Sequence, residues 1–487
     1  MIDITNVNFN YSSEQTHGSI QDISLTIETG EVTLLCGTSG SGKTTVIRLI
    51  NGLIPHFYEG NLTGSIKIDG EEISQQPLYE TAKKVGSVFQ NPRSQFFNVD
   101  TTSELAFGCE NMGISKETIN QRILKTANEM QIESLMDRNI FNLSGGEKQK
   151  IACGCVAVSN PDIIVLDEPS SNLDELAILN LRKQIKWWKK QKKTIVIAEH
   201  RLAYLWDLVD HIVVMEQGKI IIDKKGQYKK EITREEIAAL GLRTIERKAI
   251  TQVQQRVNER RRPESRLHKK ELILTDFSFS YKHGKKIFHF PELSLPMGEI
   301  TALVGTNGIG KSTFLRCLCG LEKRCKGTVR LENNILKPKN RLKSIFMVMQ
   351  DVNHQLFTES VMEELLISMG HENEETAIKI LKYLDLAEFK DRHPASLSGG
   401  QKQRVAVASA VASGRKIILF DEPTSGLDYK HMLQIAMLLK KLRASGVSVF
   451  VATHDPELIE NCCTAVVSLE EPSLKNVEED IMNTACV

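Results

Sequence analysis

The sequence predicts an α/β fold built twice in tandem, and two observations carry that prediction. A glycine-rich loop of one pattern occurs twice, as Gly37-Thr38-Ser39-Gly40-Ser41-Gly42-Lys43-Thr44 and as Gly305-Thr306-Asn307-Gly308-Ile309-Gly310-Lys311-Ser312. Each copy lies between an apolar strand-like run and a helix-like run, the context in which such a loop cradles phosphates. The second observation is order. After the first loop come Gln90, Leu143-Ser144-Gly145-Gly146-Glu147, an apolar run closing on Asp167-Glu168-Pro169, and His200; after the second come Gln350, Leu397-Ser398-Gly399-Gly400-Gln401, Asp421-Glu422-Pro423 and His454. The chain is therefore an internal duplication.

The register of the repeat refines this. From the Ser-Gly-Gly motif onward the two series keep a constant offset of 254, whereas Lys43 and Lys311 are 268 apart. The first half thus carries fourteen extra residues between loop and signature, an insertion of the size that surface loops accept.

Each motif has a chemical reason. The glycines let several backbone N–H groups converge on a nucleotide's phosphates, the lysine reaches the β- and γ-phosphates, and Thr44 or Ser312 offers a hydroxyl to magnesium, with Thr45 and Thr313 next along the helix. An apolar strand ending in two acids places Asp167 and Asp421 beside that metal and leaves Glu168 and Glu422 to orient the attacking water, a reaction governed by positioning and charge. Ser144 and Ser398 open helices whose free N–H groups favour a phosphate.

These residues resemble two ATP-binding-cassette ATPase domains fused in tandem. The resemblance covers almost the whole chain apart from the junction, and Leu-Ser-Gly-Gly separates this family from other phosphate-loop ATPases. It implies two P-loop domains, each with a mixed-sheet core and a helical signature subdomain, occupying 1–225 and 269–487 around a basic linker at 226–268. It implies ATP and Mg2+ as ligands, the latter near Thr44, Gln90 and Asp167 and near Ser312, Gln350 and Asp421. Gln90 and Gln350 resemble the glutamine that senses metal and water. His200 and His454 resemble the switch histidine at the γ-phosphate, and Tyr11 and Tyr281 resemble the aromatic that stacks on adenine. The family also implies composite sites, in which Gly37–Thr44 is completed by Ser398, Gly399, Gly400 and Gln401, and Gly305–Ser312 by Ser144, Gly145, Gly146 and Glu147. Both phosphate loops and both acid pairs are complete, which predicts two competent sites, and the unlike pairs Glu147/Gln401 and Lys150/Arg404 predict that their rates differ.

Composition sets limits. With 487 residues, 41% hydrophobic and 25% charged, the chain is ordinary for two globular domains. No apolar run approaches the roughly 20 residues that span a bilayer, and no signal segment is legible, so the expectation is a protein without its own membrane span. Ten cysteines without a Cys-x-x-Cys pair predict reduced, packed thiols. Between Lys224 and Lys270, 15 Lys and Arg face 6 Asp and Glu. With Tyr228 the only aromatic there, a solvated tether is expected in preference to a nucleic-acid surface. Within it, Thr233-Arg234-Glu235-Glu236 predicts a capped short helix that Gly241 ends, followed by exposed linker at Arg260-Arg261-Arg262-Pro263.

What ATP drives is read from the stretches after each glutamine. Gln90-Asn91-Pro92-Arg93-Ser94-Gln95-Phe96-Phe97 and Gln350-Asp351-Val352-Asn353-His354-Gln355-Leu356-Phe357 resemble the docking segment of energy-coupling-factor importers, although Arg93 and Ser94 replace an acidic pair typical there. That resemblance implies a transport ATPase on the cytoplasmic face of the membrane, partnered by a transmembrane coupling protein and a substrate-binding membrane subunit, for a vitamin or transition metal. The alternatives are a tandem-cassette ATPase acting on the ribosome, which normally has a longer charged hairpin at the junction, and a sugar-importer ATPase, which usually carries a degraded site.

Overall fold

The computed structural model describes residues 1–12, 19–171, 173–260, 270–281, 286–306, 308–371 and 373–469. Asn307, Arg261, Arg262, Pro263 and the rest of 261–269 lie outside the described residues, as does 470–487. The chain divides into two compact units, Met1–Arg247 with Asp428–Lys430, and Lys248–Leu427 with His431 onward.

The first unit holds ten strands: β1 (Ile2–Tyr11), β2 (Ile20–Ile27), β3 (Val32–Gly37), β4 (Gly60–Ile68), β5 (Glu71–Glu72), β6 (Val85–Val88), β7 (Ile163–Asp167), β8 (Thr194–Ala198), β9 (His211–Glu216) and β10 (Lys219–Lys225). They form an antiparallel sheet ordered β2-β1-β4-β5 and a six-stranded sheet ordered β10-β9-β3-β8-β7-β6. Alternation explains the first: in β1, Ile2, Ile4, Val7 and Phe9 are buried, the period of a strand with one covered face. Continuous burial explains the second, since every residue of β3, β7 and β8 is inside, as in parallel strands covered on both faces.

From β9 to β6 the neighbouring strands of this second sheet run parallel, so their carboxyl ends share one edge. The glycine-rich loop leaves β3 there, Asp167 ends β7, His200 lies two residues past β8, and Gln90 two past β6. Clefts at that edge are where open α/β sheets bind ligands.

The second unit repeats the plan with β11 (Glu271–Ser280), β12 (Lys286–Pro296), β13 (Ile300–Val304), β14 (Lys326–Leu331), β15 (Asn334–Ile335), β16 (Ile345–Val348), β17 (Ile417–Asp421), β18 (Ser448–Ala452) and β19 (Ala465–Ser468). The sheets are ordered β12-β11-β14-β15 and β16-β17-β18-β13-β19, the latter parallel throughout. The architecture is that of two P-loop domains in tandem, each a mixed-sheet core with helices.

The described junction is not a solvated tether, because apolar residues are interleaved among its charges. Thr233 caps the helix Arg234–Ala239 with a reciprocal capping box, as its sequence predicts, and Ile232, Ile237 and Leu242 sink into the first unit's core. The helix Ile250–Arg260 belongs to the second unit. It buries Val253 and Val257, packs on the helix Pro456–Cys462 and on β19, and is pinned by Lys248 and Arg256 to Glu460 at 2.5 and 3.3 Å. Among the described residues nine cysteines are free thiols, and burial pushes Cys36 and Cys153 up to about 12, so neither is a ready thiolate.

Candidate nucleotide sites

Each loop turns into its helix through a glycine that nothing else can replace. Gly42 has φ 100° and Gly310 has φ 101°; a Cβ at either would lie 2.6 Å from Ile20 Cγ2 or Ile287 Cγ2. The helices Lys43–Ile50 and Lys311–Cys319 begin immediately after. Lys43 Nζ donates to the carbonyls of Gly37 and Thr38 at 3.0 and 2.9 Å, and Lys311 Nζ to those of Gly305 and Thr306 at 2.6 and 3.3 Å. Each lysine is thus folded onto its own loop, with its ammonium held where phosphate oxygens would meet it. Burial lowers the Lys43 pKa, opposed by the charge of Glu168.

The acid pairs are held by a strained backbone. Glu168 and Glu422 adopt left-handed φ values of 43° and 50°, which cost an L-residue about 1–2 kcal/mol. Their amides donate to Ala198 and Ala452 carbonyls at 2.8 and 2.9 Å, closing each turn across the neighbouring strand. The consequence is that adjacent acids take different environments. Asp167 Oδ1 accepts from Thr44 Oγ1 at 3.1 Å. Burial, reinforced by Glu168, raises the Asp167 pKa to about 6; Asp421, hydrogen-bonded by Ser312, is likewise raised to about 6 by burial.

Glu168 is held the other way. Burial pushes it upward, but His200, Lys43 and Gln90 outweigh that and its carboxyl lies below the ordinary range. His200 Nε2 lies 3.2 Å from Glu168 Oε1, and Gln90 Nε2 donates to Glu168 Oε2 at 2.6 Å. In the second unit His454 Nδ1 lies 2.7 Å from Glu422 Oε1. Lysine, hydroxyl, acid pair and histidine therefore converge at one sheet edge in each unit, and Gln90 joins them in the first.

A hydroxyl and a buried carboxylate are hard oxygen ligands, and a divalent cation would relieve the charge that Asp167 and Asp421 bear at neutral pH, so the residues fit magnesium carried in with a triphosphate. Among the described residues no group of three or more His, Cys, Asp or Glu could hold a metal unaided.

Tyr11 and Tyr281 end up over the loop helices. Tyr11 Oη lies 3.0 Å from Thr45 Oγ1, Tyr281 Oη 3.2 Å from Thr313 Oγ1, and Arg48 and Arg316 donate to the two phenols.

The signatures form separate helix starts. Ser144 caps Gly145–Ser159 and Ser398 caps Gly399–Ala412, each in a capping box closed by Glu147 or Gln401. Glu147 Oε2 accepts from the Ser144 N–H at 2.8 Å, the role that Gln401 Oε1 plays toward Ser398. The Glu/Gln difference is thus absorbed locally. The Ser-x-x-Glu/Gln spacing was a readable signal for this.

Sequence reasoning missed the glutamines and acids that shape the post-glutamine stretches. Gln95 Oε1 accepts from Phe89 N and its amide donates to Ser87 O; Gln355 does the same with Met349 and Met347. Buried Glu104 accepts from the Phe97 and Asn98 amides, and buried Glu364 from those of Phe357 and Thr358. The result is a pinned loop that leaves Phe97 76% and Phe357 74% exposed.

A family model described as ABC transporter matches residues 20–171 and 289–425. A putative ABC transporter ATP-binding protein of Treponema denticola is 43% identical over 469 residues, 96% of this chain and 95% of that protein. A putative ABC transporter ATP-binding protein of Methanosarcina acetivorans is 32% identical over 520 residues, covering 96% and 83%. Among solved structures, the RNase-L inhibitor matches with TM-score 0.63 over 99% of this chain and 93% of its own, at 19% identity, a likeness of fold alone. The chain belongs to the ABC transporter family, as a tandem pair of ATP-binding domains that hydrolyse ATP.

Proposed function

We propose that both cassettes hydrolyse ATP to power import through a separate membrane-embedded partner of the energy-coupling-factor type, with a vitamin or transition metal as cargo. In each, the loop N–H groups and Lys43 or Lys311 bind the phosphates. Thr44 with Asp167, and Ser312 with Asp421, would hold magnesium, which when bound neutralises charge on the β- and γ-phosphate oxygens. Glu168 and Glu422 orient the attacking water. His200 and His454 fix those carboxylates and face the γ-phosphate, while Gln90 and Gln350 report its presence to the exposed stretches that follow them. Tyr11 and Tyr281 stack on adenine. The family resemblance also assigns the signature residues Ser144–Glu147 and Ser398–Gln401 to the nucleotide of the opposite cassette. Ser398→Arg is then expected to stop hydrolysis of ATP held at Lys43, and undiminished hydrolysis would contradict the assignment.

The observation that carries the importer reading is the matched pair of exposed aromatics. Phe97 stacks on Phe107 at 5.0 Å, and Phe357 stands at the same place in the second unit, where Ile367 is exposed. Two solvent-facing apolar points, each seven residues after Gln90 or Gln350, suit a partner that must feel ATP. No described helix is long and apolar enough to cross a membrane, so a separate channel-forming partner would be required.

Phe97→Asp with Phe357→Asp tests this. Each anchor should contribute about 2 kcal/mol, so membrane association should fall well over tenfold while ATP binding by the isolated chain is unchanged. Persistent membrane binding by the double variant, with wild type cosedimenting with ribosomes, would overturn the reading.

A further inference from the structure

The two base-binding edges are built differently, and the difference lies in the chain's own insertion. Gly64 and Gly327 occupy equivalent places: a Cβ on the first would meet the Asn6 and Thr5 carbonyls at 2.5 and 2.7 Å, on the second those of Asp276 and Thr275 at 2.5 and 2.6 Å. From Lys43 to Gly64 is 21 positions, from Lys311 to Gly327 only 16. The additional residues carry Phe57 and Tyr58, and they prolong β4 so that Gly60 pairs directly with Tyr11. In the second unit the pairing of β14 with β11 stops at Ser278 and Lys326, short of Tyr281.

Around Tyr11 this makes a continuous aromatic corner. Tyr58 meets Tyr11 edge-on at 6.2 Å, Phe57 meets Tyr58 at 5.1 Å, and the Arg48 guanidinium lies 3.9 Å over the Tyr58 ring while donating to Tyr11 Oη at 3.0 Å. Arg48 is thereby locked between two rings. Its counterpart Arg316 also donates to Tyr281 Oη, at 3.4 Å, but its other contact is the Glu322 carboxylate at 3.4 Å, and Tyr281 is 46% exposed. Phe57 is 71% exposed beside a ring already placed over the loop helix, an open apolar face with no other evident use.

We infer that Phe57 and Tyr58 extend the base-binding surface of the first site, forming a side wall to Tyr11 that holds the purine of a nucleoside triphosphate and makes this site the tighter of the two. The inference rests on the reading of Tyr11 as the adenine-stacking residue. A preorganised ring loses less freedom on binding, and a second aromatic wall adds stacking or edge contact that a bare phosphate chain cannot use.

The test uses the full chain carrying Lys311→Ala to silence the second loop, titrated calorimetrically with Mg-ATP and with inorganic tripolyphosphate. Phe57→Ala with Tyr58→Leu should weaken ATP about tenfold and leave tripolyphosphate unchanged. Tyr11→Ala is the reference. If it weakens ATP while the Phe57/Tyr58 variant does not, the side wall is refuted and the stacking role stands. If neither change affects ATP, the Tyr11 reading falls and takes the inference with it. Equal weakening of ATP and tripolyphosphate by the Phe57/Tyr58 variant would mean distortion of the loop and would also overturn it.

Discussion

The two cassettes keep the same chemistry at the sheet edge and exchange the parts that support it. In the first, Glu199 stands before the histidine: its carboxylate accepts from Ser170 N–H at 3.2 Å, from His200 N–H at 2.7 Å and from Tyr204 Oη at 2.9 Å. In the second, Thr453 occupies the place before His454, and the carboxylate has moved to Asp455 after it, accepting from Thr424 Oγ1 at 2.9 Å. Either way one buried carboxylate ties the segment after the acid pair to the segment bearing the histidine. The lesson is that the fold has more than one way of holding the acid, histidine and lysine at the same sheet edge.

The largest effect that would sharpen this comparison is on catalysis. Glu168→Gln and Glu422→Gln keep the side-chain shape but remove the charge proposed to orient water, and together should lower ATP turnover at least about a hundredfold with ATP binding retained. Next are the exchanged supports. Glu199→Ala and Asp455→Ala each leave buried donors unpaired and should cost about 2–3 kcal/mol, read by denaturant unfolding, along with reduced turnover. If Asp455→Ala were neutral, the claim that the second cassette has relocated this support would fail.

The junction offers a contrast between units. Ile237→Asp should destabilise the first unit and Val257→Asp the second, each by roughly 3 kcal/mol for an unpaired buried charge. Limited proteolysis that maps new cleavage to the corresponding unit would check the assignment. These positions also show why a packed junction resembles a tether in sequence. Counting Lys and Arg registered its charge, but the spacing of Ile232, Ile237, Val253 and Val257 is sparse, and Glu460, the partner of Lys248 and Arg256, lies about two hundred residues away in sequence.

By contrast the placement of the loop, acid pair and histidine at strand ends was legible, because each follows an apolar run of strand length. Gln95, Gln355, Glu104 and Glu364 were not, because they bond to backbone atoms of a loop whose path the sequence does not display. The capping role of Glu147 was legible in its spacing from Ser144.

The smallest effect is on pH. Burial raises the Asp167 and Asp421 pKa values to about 6 in the folded protein, above the ordinary value of 3.8, so the nucleotide-free fold takes up protons as pH falls toward that point and is relatively more stable there. Magnesium held by these carboxylates would require them ionised. Magnesium-dependent nucleotide affinity should therefore be level above about pH 7 and weaken by up to about tenfold per unit well below 6. Thr44→Ala or Ser312→Ala, which removes the hydroxyl from one site only, should make that site's magnesium requirement steeper without abolishing nucleotide binding.

That both cassettes are complete is tested most directly by counting nucleotides. The Glu168→Gln, Glu422→Gln double variant, incubated with Mg-ATP and freed of excess by rapid gel filtration, should retain close to two unhydrolysed ATP per chain. Retention of one, or recovery of the nucleotide as ADP, would show that the duplicated sequence motifs do not make two complete sites in which Glu168 and Glu422 drive hydrolysis.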